Sequence, residues 1–191
     1  MPIEIRLHGR GGQGVVLAAY IISIAGFYDG MFSRSFATFG VERRGSPVES
    51  YVMMGDKNEM TRSKVYNPDH IVVMDPHLVK FIKGTNANKE LVTITANTIR
   101  PPQEILNNIG AGFKTIKVGV IDATSTALEA LGRPITNTVM LGAFTKVAEV
   151  ISLESLLRAI ESQFKGDLLE KNLKAAELGY NRVKIENFSG S

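Results

Sequence analysis

The stretch "IRLHGRGGQGVVLAAY", residues 5–20, determines the type of fold that this chain adopts. Three of its glycines have G-x-G-x-x-G spacing, and a fourth glycine lies between them. Apolar and polar residues alternate over 3–8, which is the pattern of a half-buried strand. Residues 14–26 are apolar almost all round, which predicts a buried helix. A strand, a glycine-rich turn and a buried helix in this order predict the first βα unit of an α/β domain.

The glycine-rich turn has the chemistry of a phosphate-binding loop. Glycines let the backbone turn sharply and let an anion approach the amides. The N-terminus of the following helix offers unpaired N–H groups and a partial positive charge, and two polar side chains would add donors. A tight strand–helix turn without any ligand is the alternative. We predict a ligand-binding loop formed by Gly9, Arg10, Gly11, Gly12, Gln13 and Gly14.

The nicotinamide form of this motif requires an acid at the end of the second strand, about 20 residues further on. Asp29 has that spacing, but it lies in a predicted turn ahead of the second strand, which we place at 31–36. The nearest cations after that strand are Arg43 and Arg44. An arginine there suits a phosphorylated ribose, so coenzyme A or NADP is favoured over NAD.

The segment 36–51 combines aromatic residues, glycines and a charge cluster. Aromatic and arginine side chains contribute most of the binding energy of interfaces. We predict an interface or ligand rim here, and the alternative is a surface network of charges over two packed aromatics. The residues assigned to the rim are Phe39, Gly40, Glu42, Arg43, Arg44 and Gly45, with Arg43 and Arg44 as ligand-binding candidates.

The rest of the chain alternates strands with helices, which predicts a parallel sheet. A hairpin of 48–54 with 60–66 adds antiparallel strands. We therefore predict an α/β, Rossmann-like single domain over 1–183, with a mostly parallel, mixed central sheet flanked by helices and a helical C-terminal third. The remaining predicted elements are strands at 70–75, 91–95 and 113–122, helices at 137–149, 152–164 and 167–180, and a loose tail at 184–191.

The composition excludes several kinds of chemistry. The chain has no cysteine, so it provides no disulfide, thiolate zinc site, cysteine nucleophile or cysteine-ligated iron–sulfur cluster. Its three histidines lie far apart without metal-ligand spacing, and a net charge of +3 is too small to indicate nucleic-acid binding. Asp75 and Asp122 end predicted strands, where they are expected to cap helices or organise loops. No catalytic residue and no metal ligand is assigned.

The N-terminal sequence shows no signal-peptide pattern. The longest nearly apolar run, Val15 to Phe27, is shorter than the roughly 20 residues that a membrane helix needs. We therefore expect a soluble, cytoplasmic protein.

Several segments together carry a family resemblance. In order, they are "GRGGQGVVLAAYII", "FATFGVERRGSPVESYVMM", "PDHIVVMDPHLV", "NTVMLGAFTKVAEVISLESLLRAI" and "KNLKAAELGYN". Over residues 3–182 the chain resembles the gamma subunit of 2-oxoacid:ferredoxin oxidoreductases, most of all those of pyruvate, the pyruvate synthases. The glycine loop and the aromatic–glycine–charge segment both match the family's pattern. Residues 137–145 match a family helix that we interpret as packing or subunit contact.

The resemblance implies a reaction that this chain does not perform alone. Such enzymes convert a 2-oxoacid and coenzyme A into acyl-CoA, carbon dioxide and reduced ferredoxin. Thiamine diphosphate, magnesium and [4Fe–4S] clusters lie in the alpha, beta and delta subunits. The gamma-type domain is associated with the coenzyme A end of the reaction. The absence of cysteine and of a GDG-type thiamine motif agrees with this division.

Three alternatives remain open at this stage. The chain would be purely an assembly subunit if the glycine loop only docks on partners. It would serve 2-oxoisovalerate, 2-oxoglutarate or indolepyruvate, because their gamma subunits share these motifs. It would be a free-standing NADP-binding protein if the family resemblance did not hold.

Overall fold

The computed structural model describes residues 1–38, 45–57, 65–82, 91–109 and 115–189. Within these ranges the chain forms seven strands, six α-helices and one 3-10 helix. The strands, numbered in chain order, are β1 (Ile3–Arg10), β2 (Phe32–Thr38), β3 (Pro47–Gly55), β4 (His70–Val73), β5 (Val92–Asn97), β6 (Thr115–Ile121) and β7 (Lys184–Ser189).

The strands form one mixed sheet in the order β2-β3-β1-β4-β5-β6-β7. Neighbours among β1, β4, β5 and β6 run parallel, so these four strands form the centre of the sheet. β3 is antiparallel to both β1 and β2, and β7 is antiparallel to β6. The predicted α/β class with a mixed central sheet is therefore confirmed.

Helices cover both faces of the sheet. They are α1 (Val15–Tyr28), the 3-10 helix (Pro76–Phe81), α2 (Pro102–Ile109), α3 (Ala123–Leu131), α4 (Asn137–Ala148), α5 (Leu153–Glu161) and α6 (Gly166–Arg182). The larger core lies between one face and α1, α3, α4, α5 and α6, whereas the 3-10 helix and α2 cover the other face over β4, β5 and β6. None of the helices in the described ranges combines the length and apolar character needed to span a bilayer.

The helices α4 and α6 pack so closely that two contact positions have room only for glycine. A Cβ atom placed on Gly142 of α4 would lie 1.8 Å from the backbone oxygen of Ala176 in α6. A Cβ atom on Gly179 of α6 would lie 2.0 Å from the backbone oxygen of Val139 in α4. Because residues 137–145 are all buried in this packing, the interpretation of this helix as a packing element is confirmed.

Three details differ from the sequence predictions. Residues 184–189, expected as a loose tail, form β7 because they complete the backbone hydrogen bonds of β6. The sequence predicts that 48–54 pairs with 60–66, but β3 lies between β1 and β2 and pairs with both of them. Most of 60–66 lies outside the described residues. The helix α1 is not buried all round, since Val16, Tyr20 and Phe27 stay exposed.

Asp29 joins the end of α1 to the start of α5. Its carboxylate accepts hydrogen bonds from the backbone N–H of Ser152 at 2.7 Å, the hydroxyl of Ser152 at 2.8 Å and the hydroxyl of Ser155 at 2.6 Å. Partial burial opposes ionisation, but the three hydrogen bonds outweigh it and lower the pKa of Asp29. Since α1 has 14 residues, Asp29 lies about 21 Å from the glycine loop and cannot contact a ribose bound there.

A carboxyl group whose pKa is lowered in the folded state stabilises the protein above its unfolded pKa, near 3.8, and loses that contribution as the pH falls. We expect wild-type protein to have a higher Tm than the Asp29→Asn variant at pH 6–7. The difference should shrink as the pH falls below 3.8, because the unfolded state then binds a proton that the folded carboxylate, with its lowered pKa, resists. Thermal unfolding across this range measures it, and a difference independent of pH would contradict the assignment.

Candidate functional site

The glycine loop lies where the chain changes direction across the sheet. From the end of β1 the chain continues through α1 to β2 and β3 on one side, and it later returns to β4 on the other side. Open α/β sheets bind ligands in the crevice that forms at such a point, beyond the carboxyl ends of the parallel strands. The predicted loop therefore occupies the position in the fold where a ligand is expected.

The backbone of the loop depends on its glycines. Gly12 and Gly14 have φ values of 96° and 75°, which most L-residues avoid. A Cβ atom on Gly9 would lie 2.4 Å from Cγ2 of Val15, so this glycine lets α1 pack close to β1. A Cβ atom on Gly12 would meet no atom within 4 Å, so the backbone there faces open space.

The first turn of α1 presents backbone N–H groups that have no hydrogen-bond partner among the described residues. Gly14 is the N-cap residue and provides no side-chain cap. Among the described residues, no hydrogen bond involves the backbone N–H groups of Val15, Val16 and Leu17. Unpaired N–H groups at a helix N-terminus, together with the helix dipole, favour a bound anion.

Asp75 organises the side chains of the loop. It follows β4, its side chain is only 8% exposed, and it forms an ion pair with Nε of Arg10 at 2.9 Å. The same carboxylate accepts hydrogen bonds from Nε2 of Gln13 at 3.1 Å and from the backbone N–H of His77 at 2.9 Å. Gln13 in turn accepts a hydrogen bond from the backbone N–H of Arg10 at 2.8 Å. Arg10 and Gln13 are thus held within the loop itself.

The two aspartates that end strands act as the sequence analysis expects. Asp75 caps the 3-10 helix through His77, and Asp122 caps α3 by accepting a hydrogen bond from the backbone N–H of Ser125 at 2.9 Å. Neither arrangement is that of an acid–base pair. Asn97, which the sequence analysis did not identify, joins β4 to α3 by binding the backbone O of Met74 and N–H of Ala123.

The end of the aromatic–glycine–charge segment contacts the glycine loop. The backbone oxygen of Gly45 accepts a hydrogen bond from Nη1 of Arg10 at 3.1 Å. The backbone N–H of Gly11 donates to the backbone oxygen of Ser46 at 3.0 Å. The structure thus brings the two predicted motifs together. The other residues assigned to this segment, Phe39, Gly40, Glu42, Arg43 and Arg44, lie outside the described residues.

A polar cluster precedes the loop on the face of β1 opposite α1. Nε of Arg6 donates to Nε2 of His8 at 2.9 Å, and Nδ1 of His8 lies 3.6 Å from Oε1 of Glu49 on β3. Glu49 also accepts a hydrogen bond from the hydroxyl of Tyr51. Burial lowers the pKa of Arg6, although the charges of Glu49 and Tyr51 oppose this shift. The alternating polar residues of β1 predict such a face, but not these contacts.

In the part of the chain that the structure describes, no group of three or more His, Cys, Asp or Glu side chains is arranged to hold a metal ion. The arrangement is instead that of an open α/β subunit with a loop suited to a phosphate group. At the glycine loop the geometry provides hydrogen-bond donors and a positive helix terminus.

The comparisons with known proteins give the family. The sequence profile described as pyruvate ferredoxin/flavodoxin oxidoreductase matches residues 4–182. The pyruvate synthase subunit PorC of Methanocaldococcus jannaschii is 45% identical over 181 residues, covering 95% of this chain and 97% of that protein. The common gamma subunit of the pyruvate/ketoisovalerate oxidoreductases of Thermococcus kodakarensis is 43% identical over 183 residues, covering 96% and 98%.

A solved structure agrees with these relatives. The pyruvate oxidoreductase subunit PORC of Thermotoga maritima superimposes with a TM-score of 0.82 at 31% identity, covering 96% of this chain and 98% of that one. The chain belongs to the pyruvate ferredoxin/flavodoxin oxidoreductase family. It is a gamma subunit of a pyruvate or other 2-oxoacid ferredoxin oxidoreductase, as the sequence resemblance predicts, and therefore one subunit of an oxidoreductase.

Proposed function

We propose that this gamma subunit forms the coenzyme A side of a pyruvate:ferredoxin oxidoreductase, with the glycine loop at the phosphates of coenzyme A. The single observation that carries this proposal is the set of N–H groups at the start of α1 that have no partner among the described residues, next to the open backbone of Gly12. These groups are donors only, so they suit an anionic oxygen ligand. The sequence at the end of the second strand is FATFG, without the acid that an NAD ribose requires at this place in the sequence, and this favours coenzyme A over NAD.

Three arginines are proposed to add positive charge for the phosphates. Arg10 belongs to the loop, its side chain is 36% exposed, and its guanidinium group is oriented by Asp75 and Gly45. Arg43 and Arg44 precede Gly45 in the chain, so they are proposed to supply further charge to the phosphates. Phe39, Gly40, Glu42 and Gly45 are proposed to contact the partner subunits.

The redox chemistry is proposed to lie in the partner subunits. Thiamine diphosphate, magnesium and [4Fe–4S] clusters are assigned to the alpha, beta and delta subunits, and ferredoxin is the electron acceptor of the assembled complex. The supporting fact is that the chain has no cysteine to ligate a cluster. The complex converts pyruvate and coenzyme A to acetyl-CoA and carbon dioxide, and we place it in the cytoplasm.

The proposal does not assign the choice of 2-oxoacid to this subunit. The relative in Thermococcus kodakarensis is named as a gamma subunit common to pyruvate and ketoisovalerate oxidoreductases. A subunit shared between two such enzymes does not select the side chain of the 2-oxoacid. We therefore propose that this selection occurs in other subunits, and that the gamma subunit recognises the substrate common to both reactions.

A pair of variants at Gly12 tests the coenzyme A proposal. Gly12→Asp adds a negative charge where no atom lies within 4 Å, whereas Gly12→Asn adds the same shape without the charge. Asparagine tolerates the positive φ of this position better than most residues. In the purified complex we expect Gly12→Asp to raise the KM for coenzyme A at least about tenfold relative to Gly12→Asn, because phosphate and carboxylate repel. Equal KM values for the two variants would contradict the proposal.

A second candidate function is subunit assembly alone. Val16, Tyr20 and Phe27 are 44%, 49% and 69% exposed, and their spacing places them on one side of α1. An exposed apolar stripe of this kind is typical of a surface that contacts another protein. Arg10 and Gln13, which are engaged within the loop, also suit a structural role.

Gel filtration separates the two functions. If the Gly12→Asp complex elutes as intact enzyme and only the KM for coenzyme A rises, the loop serves the ligand. If the same variant releases free gamma subunit while Gly12→Asn does not, the loop serves assembly.

A further inference from the structure

The N-terminus of α4 meets the N-terminus of α1 beside the glycine loop. A Cβ atom placed on Gly14, the N-cap residue of α1, would lie 2.7 Å from Nδ2 of Asn137, the first residue of α4. The carboxamide of Asn137 therefore lies directly against the start of α1. Two positive helix ends thus converge on one point, each with N–H groups at its end.

The orientation of this carboxamide is set by its own helix. Oδ1 of Asn137 accepts a hydrogen bond from the backbone N–H of Thr138 at 2.9 Å, and this contact assigns the oxygen and nitrogen of the amide. This contact turns Nδ2 away from α4 and toward Gly14. Asn137 is only 4% exposed, yet no hydrogen bond from its Nδ2 to a described residue is present.

Thr136, the residue before Asn137, is also buried with a polar group that has no partner among the described residues. Thr136, the N-cap residue of α4, is 5% exposed, and its hydroxyl is enclosed without a hydrogen-bond partner among the described residues. It also provides no side-chain cap for α4. Buried polar side chains are normally paired, so Thr136 and Asn137 are two adjacent exceptions at the start of α4 among the described residues.

An anion bound at the start of α1 would supply an acceptor for the amide of Asn137. The donors at this point are the backbone N–H groups of Val15, Val16 and Leu17 and the NH2 group of Asn137, which lies against Gly14. Such a set suits a ligand that only accepts hydrogen bonds and carries negative charge. We propose that Nδ2 of Asn137 donates a hydrogen bond to a phosphate oxygen of coenzyme A held at the start of α1. This rests on the proposed function.

The variant Asn137→Asp tests the proposal because it separates binding from folding. Aspartate keeps the oxygen that accepts from Thr138, and a carboxylate at a helix N-terminus is favourable for stability. It removes the Nδ2 donor and places a negative charge against the phosphate. We expect the KM for coenzyme A of the purified complex to rise at least about tenfold, with kcat and Tm close to wild type.

The matched control is Gln103→Glu in the first turn of α2. It makes the same change from amide to carboxylate at the start of a helix, but on the other face of the sheet, where Gln103 is exposed and donates a hydrogen bond to Asn107. We expect an unchanged KM for coenzyme A. If Asn137→Asp fails to assemble, Asn137→Ser, which is neutral and keeps an acceptor oxygen, should still raise the KM several-fold.

The outcomes separate this inference from the proposed function. If Gly12→Asp raises the KM for coenzyme A and both Asn137 variants leave it within twofold of wild type, the role of Asn137 is overturned and the coenzyme A site stands. If the Gly12 and Asn137 variants all leave the KM unchanged, both ideas are overturned. If Gln103→Glu raises the KM for coenzyme A as much as Asn137→Asp does, the effect is a general one of added negative charge. The role of Asn137 is then overturned.

Discussion

Replacing Gly142 by alanine is expected to destabilise the protein severely. The added Cβ would lie 1.8 Å from the backbone oxygen of Ala176 and 2.9 Å from the backbone nitrogen of Tyr180, so α4 and α6 must separate. Alanine favours a helix over glycine by about 1 kcal/mol, but overpacking against backbone atoms costs about 3 kcal/mol or more. The net loss is about 2 kcal/mol or more, so we expect the Tm to fall by at least roughly 4–8 °C, measured by thermal unfolding.

The control for this prediction is Glu177→Ala. Glu177 is exposed on α6, next to Ala176, and removing its side chain leaves the contact between the helices intact. We expect a change within about 0.5 kcal/mol. A Gly142→Ala variant as stable as Glu177→Ala would show that the two helices do not approach as closely as described.

Replacing Asp75 by alanine is the second change with a large expected effect. Its carboxylate accepts hydrogen bonds from Arg10, Gln13 and the backbone of His77, and its removal leaves these donors without their acceptor. Breaking a fully buried ion pair costs about 3–5 kcal/mol, but the 36% exposure of Arg10 reduces this figure. We expect a loss of about 2–3 kcal/mol in the free energy of unfolding, measured by denaturant titration.

Asp122→Ala provides the comparison. Asp122 occupies the corresponding place after β6, but among the described residues its carboxylate caps only the N–H of Ser125, and the residue is half-buried. The loss of a single helix cap costs about 1 kcal/mol. If Asp75→Ala cost no more than Asp122→Ala, Asp75 would be a simple cap, and the loop side chains would not depend on it. In the assembled enzyme, a KM for coenzyme A that rises with Asp75→Ala but not with Asp122→Ala would link the contacts of Asp75 with the loop side chains to the ligand.

Local patterns in the sequence were sufficient to predict the centre of the fold. The alternation in β1, the glycine spacing and the apolar run of α1 are properties of consecutive residues, so they appear in the sequence directly. The aspartates that follow β4 and β6 were likewise predicted as caps, because their position before a helix start is local. The family followed from several motifs in a fixed order.

Contacts between distant residues could not be predicted in the same way. Asp29 has the sequence spacing of a ribose ligand, yet its partners Ser152 and Ser155 lie more than 120 residues away. Arg10 and Gln13 look like free donors in the sequence, and only the fold shows Asp75 beside them. Asn137 gives no signal of its own, since its meeting with Gly14 depends on how two helices pack.

The pairing of β7 with β6 has a consequence for biosynthesis. β6 has β5 on one side, and on its other side it pairs with residues 184–189, which leave the ribosome after every other strand of the sheet. Until then β6 is an open edge with unpaired backbone groups, and such edges pair readily with strands of other chains. A nascent gamma subunit therefore remains vulnerable to aggregation until translation has passed residue 189, although its glycine loop was made first.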